Sequence, residues 1–182
     1  MEKRIIFMRH SETDFHKQKR VIGNTDIGLN ATGIVLVNDE LEKLANYDIE
    51  LVVTSSLRRA IETGEIISNA FNIPIQVVEN LHERGQGVLE GMLFSEVLEK
   101  YGKITAVSKI EGRERLKPFL DRISNAIECV CEENDSNVIL IVAHSNVLRM
   151  FYQIHGIRIE KWTLCESREA YYYGKRSWKF GN

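Results

Sequence analysis

The chain has 182 residues, of which 43% are apolar and 27% charged, so length and composition predict one globular domain, residues 1–182, with a sizeable core. Its 24 basic and 26 acidic residues give a net charge of -2, which argues against nucleic acid or an anionic membrane as the main partner. No apolar run is long enough to span a bilayer and residues 1–4 lead into a strand without a signal-peptide core, so we expect a cytoplasmic protein.

The first half of the chain alternates short apolar runs with amphipathic segments. Residues 5–8 are a run rich in β-branched and aromatic side chains, which predicts a buried strand ending at Arg9 and His10. A polar segment with several turn formers, residues 11–28, predicts a loop. The patterns that follow predict a helix capped by Asn30, a strand over 51–54, a helix capped by Ser55 or Ser56, and a strand over 75–78.

The second half begins with a charged, glycine-punctuated loop over residues 79–112, which contains a short helical run at 94–101. Apolar spacing then predicts a long helix over 116–130. Residues 138–143 are the most apolar run in the chain and are expected as a central strand, followed directly by His144. Ser145 is expected to cap a further helix, and the aromatic tail, residues 170–180, suits edge strands.

Strands that alternate with helices indicate an α/β fold. Right-handed crossovers place helices on both faces of a mostly parallel central sheet, so we predict a three-layer α/β/α architecture.

The three cysteines are Cys129, Cys131 and Cys165, an odd number that argues against a disulfide framework. Cys129 and Cys131 lie two positions apart in a predicted helix and therefore point to different sides, which fits zinc ligation poorly. We predict neither a metal site nor a cofactor.

Two histidines and two arginines are expected at one edge of the sheet. His10 and His144 each follow an apolar strand, and Arg59 lies in the first turn of the helix after another strand. Helix N-termini favour anions, and a guanidinium group such as that of Arg9 or Arg59 matches phosphate oxygens bidentately. The combination predicts a phosphate site at the carboxyl ends of the strands.

A phosphate held there could be transferred to an imidazole, which is nucleophilic at neutral pH. The surrounding cations would stabilise the charge that develops on the phosphoryl oxygens. A leaving alcohol needs a proton, and Glu83 beside a bound phosphate is the candidate general acid, with Glu12 and Glu90 as competitors.

Several blocks of the chain, in the right order, resemble the histidine phosphatases of the phosphoglycerate mutase-like superfamily, in particular its small phosphatase branch. Residues 9–13, Arg-His-Ser-Glu-Thr, resemble the Arg-His-Gly-Glu-Thr signature, which implies His10 as the phosphorylated nucleophile and Arg9 as its phosphate-binding neighbour. The resemblance of blocks 55–63, 81–91 and 143–149 implies Arg59 as a phosphate ligand, Glu83 as the acid and His144 as the second histidine.

The same resemblance suggests which other residues touch the substrate. We expect the substrate-binding residues to be Ser11, Thr13, His16, Arg20, Ile22, Gly23 and Ser145. For Thr13 a role as a turn cap is equally open, and His16 is either a bystander or part of the pocket lining.

The chain departs from the family pattern at several of these positions. Serine replaces the glycine after each histidine, at Ser11 and Ser145, and a serine hydroxyl can donate to phosphate. His16 replaces a common asparagine and Ile22 a common glutamine, which predicts a more apolar pocket rim. The family's Gly-Glu-Ser element reads Gly-Arg-Glu-Arg over 112–115, which adds positive charge near the expected substrate entrance.

We therefore predict a metal-independent phosphoric monoester hydrolase that acts on a small phosphorylated metabolite through a phosphohistidine. One alternative is a bisphosphoglycerate-dependent phosphoglycerate mutase; the chain is shorter than typical mutases and ends soon after its last strand, which favours hydrolysis. The other alternative is a non-catalytic pseudophosphatase, for which Ser11 and Ser145 are the only grounds. The aromatic tail offers an edge for a homodimer.

Overall fold

A six-stranded sheet with helices on both faces forms the centre of the structure, a computed structural model that describes residues 2–181. The strands are β1 (Lys3–Arg9), β2 (Leu51–Ser55), β3 (Ile75–Val78), β4 (Val138–Ala143), β5 (Ser167–Tyr172) and β6 (Trp178–Phe180). Their order is β3-β2-β4-β1-β5-β6; the first four are parallel, and β5 runs antiparallel to β1 and β6. The predicted α/β/α architecture with a mostly parallel sheet is confirmed.

Within residues 2–181, six α-helices connect the strands. They are α1 (Asp14–Lys17), α2 (Ala31–Leu44), α3 (Arg58–Phe71), α4 (Phe94–Tyr101), α5 (Leu116–Glu133) and α6 (Ser145–Ile154), with 3-10 turns at Ala45–Tyr47, Glu79–Leu81 and Gly87–Leu89. Helix α1 lies in the segment that was predicted as a loop, because four residues are too few to show a helical period. None of the helices within residues 2–181 has the length and apolarity needed to cross a membrane.

The predicted helix caps are right in one case and wrong in two. Asn30 caps α2, where its side-chain oxygen accepts a hydrogen bond from the N–H of Gly33 at 2.8 Å. Helix α3 instead begins after Leu57, and α6 begins after His144. Neither helix has a side-chain cap at its N-terminus. The hydroxyl of Ser55 is used inside the site rather than as a cap, which the sequence pattern could not reveal.

The two faces of the sheet bury alternate residues of the same strands. In β1, Ile5 and Phe7 join the core cluster that includes α5 and α6, whereas Ile6 and Met8 join the cluster that includes α2 and α3. Strand β4 is covered in the same way, which explains its unbroken apolar sequence. Both strands are therefore held rigidly, and so are the residues that follow them.

The prediction that the aromatic tail forms edge strands is wrong for β5 and right for β6. Strand β5 lies inside the sheet between β1 and β6, and its residues Ala170 and Tyr172 are buried; only β6 is at the edge. Trp178 of β6 packs on Tyr172, with ring centroids 4.8 Å apart, and on Phe151 of α6 at 5.1 Å. Strand pairing over such sequence distances is set by tertiary packing.

Candidate active site

His10 and His144 meet at the carboxyl edge of the sheet, as the sequence predicted. Strands β1 and β4 are parallel neighbours, with Arg9 in register with Ala143, so the next residue of each chain segment leaves at the same edge. The N–H of His10 donates to the carbonyl of Ala143 at 2.9 Å, and the two imidazole centroids are 5.0 Å apart. Both rings are buried.

The tautomer of His10 is determined by a backbone carbonyl. The Nδ1 atom lies 2.7 Å from the carbonyl oxygen of Ser11, which can only accept, so Nδ1 carries the proton and Nε2 has the free lone pair. Burial, followed by the charge of Arg59, lowers the pKa of His10 well below its usual value. The imidazole is therefore neutral at pH 7, with Nε2 as its nucleophilic atom.

Arg59 stands over that nitrogen and is anchored by the loop before α2. Its Nε donates to Nε2 of His10 at 3.3 Å, and its terminal nitrogens donate to the carbonyls of Gly23 and Thr25, each at 2.8 Å. Burial lowers the pKa of Arg59 to about 10, so the guanidinium stays charged at neutral pH. Because all three of these acceptors are uncharged, a full positive charge remains beside His10.

Arg9 supplies a second cation. One terminal nitrogen donates to the carbonyl of Trp162 and the other to Nε2 of His16, each at 2.8 Å, while its Nε has no partner within residues 2–181. A guanidinium only donates, so Nε2 of His16 accepts from Arg9, and Nδ1 lies 3.0 Å from the hydroxyl of Thr13 and 3.2 Å from its backbone N–H, which donates to it. Burial and then Arg9 lower the pKa of His16 to about 3, which keeps this arrangement neutral.

His144 is held by a serine of the neighbouring strand. Its Nε2 lies 2.6 Å from the hydroxyl of Ser55, which also accepts a hydrogen bond from the N–H of Leu57 at 3.4 Å. The Ser55 hydroxyl has no other acceptor among the described residues, so we assign its proton to the contact with Nε2 and the proton of the ring to Nδ1. Among the described residues nothing pairs with Nδ1, although the ring is fully buried. A buried N–H without a partner is costly, and an anion beside His10 would satisfy it.

Glu83 is a buried carboxyl group with two backbone donors. One oxygen accepts from the N–H of Arg84 at 2.7 Å and the other from the N–H of Asn146, in the first turn of α6, at 3.2 Å. Burial raises the pKa of Glu83, although these hydrogen bonds and the nearby arginines act in the opposite direction. A raised pKa keeps the carboxyl group of Glu83 protonated to a higher pH than that of an exposed glutamate, which suits a general acid.

The two competing glutamates have structural roles. Glu90 accepts from the N–H groups of Asn24 and Gln86 at 3.0 and 2.8 Å, and thereby joins two loops. Glu12 accepts from the side-chain amide of Asn30 at 3.0 Å. Glu83 is the carboxyl group that lines the cavity described next.

A cavity of about 650 Å³ has His10 among its lining residues, whereas the fully buried His144 does not line it. Of the residues predicted from the sequence, it is lined by Arg9, His10, His16, Arg20, Ile22, Gly23, Arg59, Glu83 and Ser145. Ser11 and Thr13 do not line it: the hydroxyl of Ser11 donates to the carbonyl of Gly33 at 2.8 Å, and that of Thr13 faces His16. The expectation that Ser11 donates to phosphate is therefore corrected, because its hydroxyl is used within the fold. No group of three or more potential metal ligands occurs in the described part of the chain.

Sequence reasoning missed several partners of these groups. Asn146 offered a signal, since backbone N–H groups in the first turn of a helix are free to bind a carboxylate. Ser55 was visible only as a supposed helix cap. The carbonyl of Trp162 lies 153 residues from Arg9 along the chain, and no local pattern connects the two.

Comparison with known proteins identifies the family of the chain. The family model described as histidine phosphatase superfamily (branch 1) matches residues 5–172. An uncharacterised phosphatase, PhoE of Bacillus subtilis, is 33% identical over 140 residues, which are 77% of this chain and 70% of that protein. A 2,3-bisphosphoglycerate-dependent phosphoglycerate mutase of Cytophaga hutchinsonii is 30% identical over 156 residues, 80% of this chain and 73% of the mutase.

The fold is shared with solved structures of low identity. A mycobacterial glucosyl-3-phosphoglycerate phosphatase superposes with a TM-score of 0.85 at 19% identity, over 98% of this chain and 97% of that one.

Proposed function

The chain belongs to the histidine phosphatase superfamily, and from that premise we propose that it hydrolyses small phosphate monoesters through a phosphohistidine formed on His10. The observation that supports this most directly is the hydrogen bonding of His10. A backbone carbonyl holds the proton on Nδ1, so Nε2 presents a lone pair beside two arginines, Arg9 and Arg59. The relation to phosphatases over most of the chain supports the same reaction.

In the first half of the reaction, Nε2 of His10 attacks the phosphorus atom. The contact between Arg59 Nε and Nε2 is long, at 3.3 Å, and a phosphate oxygen can replace it. Arg9, Arg59 and the Nδ1–H of His144 then hold the phosphoryl oxygens and stabilise their negative charge. As the bond from phosphorus to the leaving oxygen breaks, Glu83 gives that oxygen its proton.

In the second half, water attacks the phosphohistidine. The ionised Glu83 takes a proton from the water, the new bond to phosphorus forms, and the bond to Nε2 breaks. Inorganic phosphate leaves, and both His10 and Glu83 return to their starting protonation states. No step needs a metal ion, since arginines supply the positive charge.

Trapping the intermediate tests this proposal. Rapid quenching during turnover should leave phosphate on the protein that is labile in acid and stable in alkali, and the His10→Ala variant should carry none. A His10→Ala variant that still turns over, without such phosphate in the wild-type protein, would refute the mechanism.

A phosphoglycerate mutase is the second candidate, because a relative with that name matches most of the chain. Both reactions begin with a phosphohistidine, but a mutase returns the phosphoryl group to its substrate. Incubation of 3-phosphoglycerate with a trace of the bisphosphate distinguishes the two. We expect release of inorganic phosphate, whereas isomerisation in excess of release would favour the mutase.

A further inference from the structure

The cavity extends beyond the phosphate-binding groups onto one face of α4. Phe94, Val97 and Leu98 line it there, and we call these three residues the apolar shelf. Phe94 and Leu98 lie four positions apart on the helix, so their side chains are neighbours, and they are 58% and 64% exposed. Large apolar side chains with that exposure, inside a cavity, indicate a surface that an apolar part of a ligand covers.

Five positively charged side chains also line the cavity. We call them the rim cations: Lys19, Arg20, Lys103, Arg113 and Arg149. Glu83 is the one carboxylate among the lining residues, and no rim cation forms an ion pair within residues 2–181. Arg9 and Arg59 line the cavity in addition to the rim cations, so the cavity carries more positive charge than one phosphate group requires.

Arg113 is the rim cation that is most firmly held. Its Nε donates to the side-chain oxygen of Gln86 at 2.9 Å, and a terminal nitrogen donates to the carbonyls of Thr105 and Ser108 at 2.7 and 3.3 Å. These acceptors are uncharged, so they position the guanidinium without neutralising it.

We propose that this site takes phosphate monoesters whose alcohol part combines an apolar body with a second anionic group. The body lies on the apolar shelf, and the second anion, a carboxylate or another phosphate, binds Arg113. This inference rests on the proposed hydrolysis of phosphate monoesters and narrows its substrate class.

Four phosphate monoesters test the apolar body and the second anionic group separately. Ethyl phosphate has neither, phosphoglycolate has only the second anion, phenyl phosphate has only the apolar body, and 4-carboxyphenyl phosphate has both. Because their leaving groups differ in intrinsic reactivity, each substrate is compared between the wild-type protein and a variant.

Arg113→Gln removes the positive charge at the rim. We expect kcat/KM for 4-carboxyphenyl phosphate to fall about tenfold or more, mainly through KM, with little change for phenyl phosphate. Arg113→Lys should lose less kcat/KM than Arg113→Gln, because lysine keeps the positive charge but lacks the paired N–H donors of the guanidinium group. Arg115→Gln makes the same chemical change at an exposed residue that does not line the cavity, and should leave all four values unchanged.

Leu98→Ser tests the shelf. We expect kcat/KM to fall about fivefold for the two aryl phosphates and to stay the same for ethyl phosphate and phosphoglycolate. Val35→Ser is the matched control, because Val35 is 58% exposed on α2 and lies outside the cavity.

The outcomes distinguish the inference from the proposal on which it rests. If Arg113→Gln lowers all four values by the same factor, Arg113 only supports its loop, and the inference is overturned. The inference is also overturned if the ratio of kcat/KM for 4-carboxyphenyl phosphate to kcat/KM for phenyl phosphate is the same in the wild-type protein and in Arg113→Gln. If the wild-type protein hydrolyses none of the four esters, the proposed function fails too.

Discussion

Replacing Glu83 by glutamine should separate proton transfer from phosphate binding. General acid–base catalysis contributes about 100- to 10,000-fold, so we expect kcat for an alkyl phosphate to fall by that factor. 4-Nitrophenyl phosphate has a leaving group that needs no proton, so the first step should be affected much less. The second step, in which Glu83 activates water, should then become limiting, and phosphohistidine should accumulate.

The structure also predicts the cost of this substitution to stability. Both carboxylate oxygens accept backbone N–H groups, from Arg84 and Asn146, and the NH₂ group of a glutamine would face one of these donors. One unsatisfied buried donor costs about 1–3 kcal/mol, which urea unfolding can measure. Glu79→Gln, the same change at an exposed position in the preceding turn, is the control for both measurements.

The pKa shifts of Glu83 and His10 predict how kcat/KM changes with pH. Glu83 must be protonated in the first step, and burial raises its pKa, so kcat/KM for an alkyl phosphate should fall as the pH rises through that raised value. His10 must be neutral, and its pKa is lowered well below 6.5, so activity should persist at mildly acidic pH. A Glu83→Gln variant with the same alkaline limb and less than about a tenfold loss would refute the assignment.

Three further predictions concern the groups around the two histidines. Ser55→Ala removes the partner of His144 Nε2, so kcat/KM should fall about tenfold without loss of fold in circular dichroism; an unchanged value would contradict the role of this hydrogen bond. The pKa of His16 is lowered from 6.5 to about 3 in the folded protein. Between these two values the unfolded chain binds a proton that the folded protein does not bind, so the free energy of unfolding falls as the pH falls. In His16→Asn the free energy of unfolding should fall less steeply over the same pH range. Gly64→Ala places a Cβ against the side chain of Thr54, so it should destabilise the protein by about 1–3 kcal/mol in urea unfolding, and a smaller loss would show that α3 can move away from β2.

The positions of the central strands and of the helices could be predicted because burial leaves a local pattern in the sequence. The expected strand over 138–143 and the expected helix over 94–101 coincide with β4 and α4. Helix starts were harder, because a serine near a helix start has several possible partners. Ser55 bonds to His144, a residue 89 positions away, and no local pattern encodes that choice.

The candidate site was predictable to the same extent, and for the same reason. Strand ends are visible in the sequence, so His10, His144 and Arg59 could be placed at one edge of the sheet. Glu83 lies on a loop, and the sequence left Glu12 and Glu90 as alternative candidates for the general acid. The structure separates the three by their hydrogen bonds, since Glu90 and Glu12 are used to join loops.

By itself, the sequence determined the order of strands and helices and the residue types that follow each strand, because hydrophobic periodicity and chain order are local properties. Only the tertiary structure decided which nitrogen of His10 is free, which hydroxyl holds His144, and how Arg113 and the apolar shelf share one cavity. Those properties depend on distances between atoms that lie far apart in the chain, and folding alone brings them within hydrogen-bonding range.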